Sequence, residues 1–341
     1  MRKNNMFFWA AAFFLLFAQP GGLFAQKAQK NKIVIKMATI VPEKTHWAQA
    51  FNKISAEWSK ITGGEVELII YHNNLGNEED LLRKLKLNQI QIAVLGTPGL
   101  GKIDDKILTI SAPLLIRNNG ELTYVMENIT PEIEQSLKLK GFFTLGWSKV
   151  GWVRFFSKTP VRVPSDLKKM RLATSEDEPE LTEVFRTMGY RLSPMARNQT
   201  LQNLGVGTVD SVYQSPVYAA STQIFGVAKN MCPLLITPVL GGIIIKNSTW
   251  DSIPAKYKND MLRAVKNMEK ELDESIAKLE DEVIDLMKQY GLAVTPLTAE
   301  EEALWVRDVE NAMPSLLGKT FNRETYERIR SLLSDYRKQR M

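Results

Sequence analysis

Short apolar runs alternate with longer stretches of helical spacing over the first third of this chain, and that alternation narrows the possible folds more than any other feature. Residues 33–40 form a run of strand length, and residues 45–61 place Trp47, Ala50, Phe51, Ile54 and Trp58 at intervals that predict a helix. Gly63 and Gly64 end it. A strand at 66–71, a turn through Asn73, Asn74 and Gly76, a helix at 78–87 and a short buried strand at 90–95 follow. Strand, helix, strand, helix, strand in this order predicts a parallel sheet covered by helices.

The alternation resumes further on. Two helical pieces are predicted at 121–126 and 131–139, with Pro131 in the first turn of the second, and a strand at 141–147 leads into Gly151-Trp152-Val153-Arg154-Phe155-Phe156. A strand at 170–174, a helix at 179–188 stopped by Gly189 and a strand at 209–213 form a second α/β unit. Two lobes are therefore expected, joined by the aromatic group Trp147, Trp152, Phe155 and Phe156, which serves either as interdomain core or as a wall facing a ligand. Residues 254–290 carry Met261, Val265, Met268, Leu272, Ile276, Leu279, Val283 and Leu286 at spacings of three and four, the stripe of one long amphipathic helix. Shorter helices at 299–313 and 323–337 close the chain.

A length of 341 residues leaves room for about two domains. Arg2 and Lys3 precede an apolar run at 6–18, and Pro20, Gly21 and Gly22 follow, the layout of a secretory signal at 1–25 cleaved after Ala25. The alternative is an uncleaved anchor, for which the run is shorter than the ~20 residues of a spanning helix. Both readings export the chain, to the periplasm or its equivalent. No Cys stands where lipid attachment would need one, and the sole Cys232, beside Met231, Leu234 and Leu235, is expected to be buried and unreactive. Loss of Arg2 and Lys3 lowers the formal charge from +6 to +4, and the remaining basic residues are interleaved with acidic ones, which argues against nucleic acid.

Catalytic constellations are missing from the sequence. Gly96-Thr97-Pro98-Gly99-Leu100-Gly101-Lys102 has the spacing of a phosphate-binding loop, but Ile103 stands where a magnesium ligand belongs and Pro98 removes an amide, so a Gly-rich loop at the sheet edge is expected instead. His46, at a helix start, and His72, in a turn, have no Cys or carboxylate partners at metal-ligand spacing. The carboxylates Glu78 and Glu79, and those at 300–302, fall at helix starts, where they favour the helix dipole. Neither an enzyme nor a cofactor is expected.

The most specific segments are Thr159-Pro160-Val161-Arg162-Val163-Pro164-Ser165-Asp166-Leu167-Lys168-Lys169-Met170-Arg171-Leu172-Ala173 and Gly207-Thr208-Val209-Asp210-Ser211-Val212-Tyr213-Gln214. They resemble the signature of the DctP-like solute-binding proteins of TRAP transporters. Pro42 with His46 and Trp47, and the turn Asn74-Leu75-Gly76, resemble other parts of that family, and the similarity runs from residue 33 to the end of the long helix. The resemblance implies an α/β, two-lobed periplasmic-binding-protein-like fold with long C-terminal helices spanning the lobes. Its expected boundaries are 33–147 with a return segment at 233–253 for lobe I, 148–232 for lobe II and 254–341 for the spanning helices.

In that family the first segment ends in an Arg that clamps a ligand carboxylate, and Ala173 occupies its place; the second ends in an amide, and here Gln214 does. The family's second Arg aligns without gaps on Trp152, or on Arg154 after a shift; Arg171 and Arg197 are further cations, each with solvent-facing charge as its ordinary role. The resemblance thus implies an exported receptor that closes over a small ligand and delivers it to the TRAP membrane permease. A neutral Ala173 suggests an apolar or amphipathic ligand in a cleft lined by Trp152, Ala173, Tyr213 and Gln214, with Trp47 nearby. One branch of the family associates with a TPR-containing protein, a further expected partner. The alternatives are an organic-acid receptor with Arg154 as the clamp, and an adaptor that uses the fold as a protein-binding surface.

Overall fold

The computed structural model describes residues 32–340, so the signal segment and its cleavage site lie outside the described residues. Strand β1 (Ile33–Thr39) leads into α1 (His46–Ile61), where the Thr45 hydroxyl accepts the Ala48 N–H at 3.2 Å and caps the helix. Phe51, Ile54 and Trp58 of α1 are buried against the sheet. After β2 (Val66–His72), α2 (Glu78–Lys86) starts with a capping box between Asn77 and Asp80. Next come β3 (Ile92–Gly96), α3 (Thr97–Gly101), α4 (Asp105–Ile110) and α5 (Asn119–Leu139).

Two expectations change here. The Gly-rich stretch forms the short helix α3 rather than a loop, because Glu78 organises its first amides. Helix α5 is one element, not two: Pro131 lies inside it, and the buried face of Leu122, Val125, Ile129, Ile133 and Leu137 continues through. Burial along that face offsets the one backbone hydrogen bond the proline removes.

Strand β4 (Phe142–Ser157) is sixteen residues long and absorbs both the predicted strand and the aromatic segment after it. Beyond it lie α6 (Pro164–Lys168), β5 (Arg171–Ser175), α7 (Pro179–Thr187), β6 (Arg191–Met195), α8 (Thr200–Val206), β7 (Ser211–Gln214), α9 (Pro216–Ser221) and β8 (Asn230–Met231). The chain returns through β9 (Thr237–Lys246) and α10 (Asn247–Ser252) to α11 (Ala255–Gln289), then β10 (Ala293–Val294), α12 (Ala299–Leu316) and α13 (Arg323–Lys338). Among the described residues no helix is long and apolar enough to cross a membrane.

The strands join in the order β2-β1-β3-β9-β4-β7-β5-β6, with β8 on β4 and β10 on β8. Parallel pairing, as expected, holds within the flanks β2-β1-β3 and β7-β5-β6. Between them β9 and β4 run antiparallel to their neighbours, so the sheet is mixed. Strand β4 serves both flanks: residues from Phe142 to Val153 pair with β9, and Arg154 to Ser157 pair with β7.

That division leaves one edge of β4 without a strand partner ahead of Arg154, and its amides need acceptors. Helix α11 supplies them. Glu269 accepts the Trp147 N–H, Asp273 the Lys149 N–H at 3.1 Å and Glu280 the Trp152 N–H at 3.2 Å. The amide spacing of two and then three follows the register shift between Lys149 and Gly151, and Gly151 takes φ 119° there. A side chain at Gly151 would bring its Cβ within 2.7 Å of Glu280 Oε2.

The long helix is confirmed, but its stripe shifts. Met261, Val265, Met268, Leu272 and Ile276 are buried as expected, whereas Glu280, Ile284 and Met287 replace Leu279, Val283 and Leu286 on the inner face. The first set packs with α1 and β1, the second beneath β5 and β7, and the change of partner brings Glu280 inward to β4.

Candidate functional site

Parallel α/β sheets place ligand contacts outside the carboxyl ends of their strands. In the first flank β3 ends at Gly96, and Glu78 turns its carboxylate onto that end, accepting the Gly96 N–H at 2.6 Å and the Gly99 N–H at 2.8 Å. A Cβ at Gly99 would stand 2.6 Å from Glu78 Oε2, so the glycine there admits a carboxylate of the chain itself. The amides that a phosphate would need are already taken. Burial raises the Glu78 pKa, the two amides oppose the shift, and Glu178 adds to it.

In the second flank, β5 is followed by Asp177 and Glu178, and β6 by Arg197. Arg197 Nη2 donates to Glu178 Oε1 at 2.5 Å. The two flanks meet at these ends: Asn77 Nδ2 donates to Asp177 Oδ1 at 3.2 Å, and Glu78 lies within the electrostatic reach of both Glu178 and Arg197. Tyr218 of α9 lies near Arg197 as well. The result is a polar junction of three carboxylates, Glu78, Asp177 and Glu178, and the Arg197 guanidinium, able to accept hydrogen bonds from hydroxyls and to pair with one anion.

Residues singled out from the sequence fall into three places. Trp152 is 2% exposed, with its indole N–H on Asn119 Oδ1 at 2.7 Å. Tyr213 packs with Phe155 and Phe185 in the same large core; its hydroxyl is buried beside Thr237, and burial pushes its phenol well above the ordinary value. Ala173 is also 2% exposed, within the cluster of Phe156, Val212 and Met195 on the opposite sheet face.

Arg154 and half-buried Gln214 are register neighbours on β4 and β7. The guanidinium of Arg154 donates to Glu280 at 2.8 Å and to the Pro233 carbonyl at 3.0 Å, in an ion pair whose side chains are 14% and 9% exposed. Trp47 stands apart in the first flank, on the first turn of α1 and packed against the cluster that holds Ile35, Met37 and Phe51, with its indole N–H buried and unpartnered. The structure thus brings Arg154, Tyr213 and Gln214 together around β4 and β7, buries Trp152 and Ala173 in core, and leaves Trp47 outside that group.

The signature segments are largely scaffold. Asp166 Oδ2 accepts the N–H groups of Arg162 and Val163 at 3.1 and 3.2 Å, which sets the start of α6. Asp210 accepts the Arg171 amide at 3.0 Å and two guanidinium nitrogens at 3.1 Å each, tying β7 to the start of β5. Cys232 is buried, and burial pushes its thiol up to about 11. His72 ends β2 rather than sitting in a turn, with both ring nitrogens buried and unpartnered. Among the described residues no group of His, Cys, Asp or Glu is arranged to hold a metal.

Sequence reading treated Glu78 as a helix-start carboxylate and left Glu178 unmarked. The signal that could have found them is position, since Glu78 follows a predicted turn and Glu178 a predicted strand, whereas β6, the strand that places Arg197, is not among those predicted.

Comparisons with known proteins agree with this architecture. The family model described as bacterial extracellular solute-binding protein, family 7 (DctP) matches residues 37–319. The 2,3-diketo-L-gulonate-binding periplasmic protein YiaO of Escherichia coli (strain K12) is 21% identical over 72% of this chain and 75% of its own length. Among solved structures, a TRAP periplasmic solute-binding protein of Haemophilus influenzae with bound L-gulonate superposes with a TM-score of 0.78 at 19% identity, covering 88% of this chain and 100% of that one. Its counterpart from Sulfurospirillum deleyianum with bound succinate has a TM-score of 0.76 at 19% identity, over 88% and 99%.

Proposed function

This chain belongs to the bacterial extracellular solute-binding proteins of family 7, the two-lobed receptors of TRAP systems, and from that premise we propose that its ligand is a small organic acid. The receptor binds a solute and works with a membrane permease; it is not an enzyme. The acid reading rests on the polar junction of Glu78, Glu178 and Arg197 where the two flanks meet. Ligands of the relatives agree with it, being succinate, L-gulonate and 2,3-diketo-L-gulonate.

The apolar ligand suggested by Ala173 finds no support in those relatives. The aromatic rings it would need, Trp152 and Tyr213, are committed to core packing, and the Ala173 methyl lies within an apolar cluster. We place lobe I at 33–147 with the return segment 233–253, lobe II at 148–232 and the spanning helices at 254–341. Strand β4 then crosses from one lobe to the other, and β9 lies in the return segment beside it. Only the permease is needed as a partner; the TPR-containing protein of one branch would be an addition.

Calorimetric titration of the mature chain tests the reading with L-gulonate, D-galacturonate and succinate, against a medium-chain alcohol as apolar probe. Saturable binding of an acid with a Kd below about 100 μM, or ~5.5 kcal/mol, is expected. Binding of the alcohol alone would overturn it.

A further inference from the structure

We propose that Arg197 receives the ligand's carboxylate, in place of a guanidinium at position 173, and that Glu78 and Glu178 restrict the ligand to monocarboxylates carrying hydroxyl groups. This inference rests on the acid reading above and adds to it the residue and the substrate class.

The other cations near the junction are occupied. Arg154 holds Glu280 and the Pro233 carbonyl on the face covered by α11, and releasing Glu280 would leave a buried carboxylate unpaired. Arg171 wraps Asp210 and the Gly207 carbonyl at the amino end of β5, the wrong end of the strand for a ligand. Lys102 pairs with Glu79, and Lys149 with Asp273 and the Thr123 hydroxyl.

Arg197 differs in both position and saturation. It follows β6 at the carboxyl edge, its side chain is 38% exposed, and among the described residues it makes one hydrogen bond, through Nη2 to Glu178. Nη2 keeps a second hydrogen, and together with Nε–H or an Nη1 hydrogen it forms the remaining edge of the guanidinium, the geometry that takes a carboxylate through two parallel hydrogen bonds. Tyr218 and Glu78 lie within electrostatic reach of Arg197.

The surrounding charge sets the ligand class. With Lys102 held by Glu79, the three carboxylates Glu78, Asp177 and Glu178 beside the Arg197 guanidinium leave no free cation for a second acid group on the ligand, which would meet a like charge there. Hydroxyl groups, by contrast, can donate to these carboxylates. A polyhydroxy monocarboxylate satisfies every group at the junction; a dicarboxylate does not.

The test uses the mature chain, with wild type, R197A, R197K and E178Q titrated with L-gulonate, D-galacturonate and succinate, and a ligand-free thermal melt of each variant. Wild type should bind a sugar acid more tightly than succinate. R197A should lose about 30-fold or more of that affinity while melting within a few degrees of wild type, because the side chain is half exposed. R197K should recover part of the loss, since a point charge replaces a two-pronged donor. E178Q should narrow the gap between succinate and the sugar acid. If wild type binds a sugar acid and R197A binds it equally well, the assignment of Arg197 is wrong while the acid reading stands. If succinate is preferred, the monocarboxylate restriction is wrong; if no acid binds, the acid reading itself fails, and this inference with it.

Discussion

Asp210 shows how a signature residue can be structural. Its carboxylate gathers the amide and guanidinium of Arg171, and its own amide donates to the Arg171 carbonyl at 2.9 Å, so one side chain sets the start of two strands. Hydrogen bonds from Arg171, and then its charge, hold the Asp210 pKa below the ordinary 3.8. A lowered folded-state value means that the pair stabilises the fold above pH 3.8 and loses that contribution as the pH falls through the lowered value. In D210N the contribution is missing throughout. Melting temperatures of wild type and D210N should therefore differ most near about pH 6–7 and converge toward pH 2–3; a gap that stays constant on acidification would contradict the pairing. The ligand-facing chemistry we propose lies instead at Glu78, Glu178 and Arg197, where no signature stands.

Helix α11 is the element that makes the crossing strand tolerable. An unpaired strand edge exposes donors that must be satisfied, and here Glu269, Asp273 and Glu280 do so from one helix face. The three are not equivalent. Asp273 is 30% exposed and joins one backbone amide and Lys149, so D273A should cost about 1 kcal/mol, the worth of an ordinary hydrogen bond. Glu280 is 9% exposed and holds both the Trp152 amide and Arg154, so E280A should cost about 3–5 kcal/mol by leaving a buried guanidinium alone. Urea unfolding of the two variants checks the ranking. Equal midpoints would mean that the acidic face of α11 is ordinary surface.

The molecule as a whole is held by an apolar core that runs beside the crossing strand and under the C-terminal helices. Phe155 of β4 stacks on Trp305 of α12 at 5.6 Å between ring centroids and meets Phe185 and Tyr213 edge-on or tilted. Arg162 adds a paired contact to Glu301 of α12, and the Trp305 indole donates to the Arg162 carbonyl at 2.7 Å. F155A would open a cavity among these rings and should cost about 3–5 kcal/mol, read as a lowered urea midpoint with an unchanged slope. A much smaller loss would mean that α12 does not depend on the aromatic cluster. The aromatic group picked out from the sequence is thus divided among packing duties.

Local patterning carried most elements of this fold. The periodicity of α1, the caps of α2 and the alternation of the parallel flanks depend on neighbours a few residues apart, and such neighbours are visible in one dimension. Family membership was legible for a similar reason, since turns and strand starts such as those at Asp166 and Asp210 demand particular side chains at fixed spacing. The tertiary structure alone decided that β4 and β9 run antiparallel between the flanks, that Glu280 displaces an apolar residue on α11, and that Asn77 meets Asp177 where the flanks converge. Those outcomes pair groups far apart in the chain. Burial and hydrogen-bond satisfaction select them, and neither leaves a period in the chain.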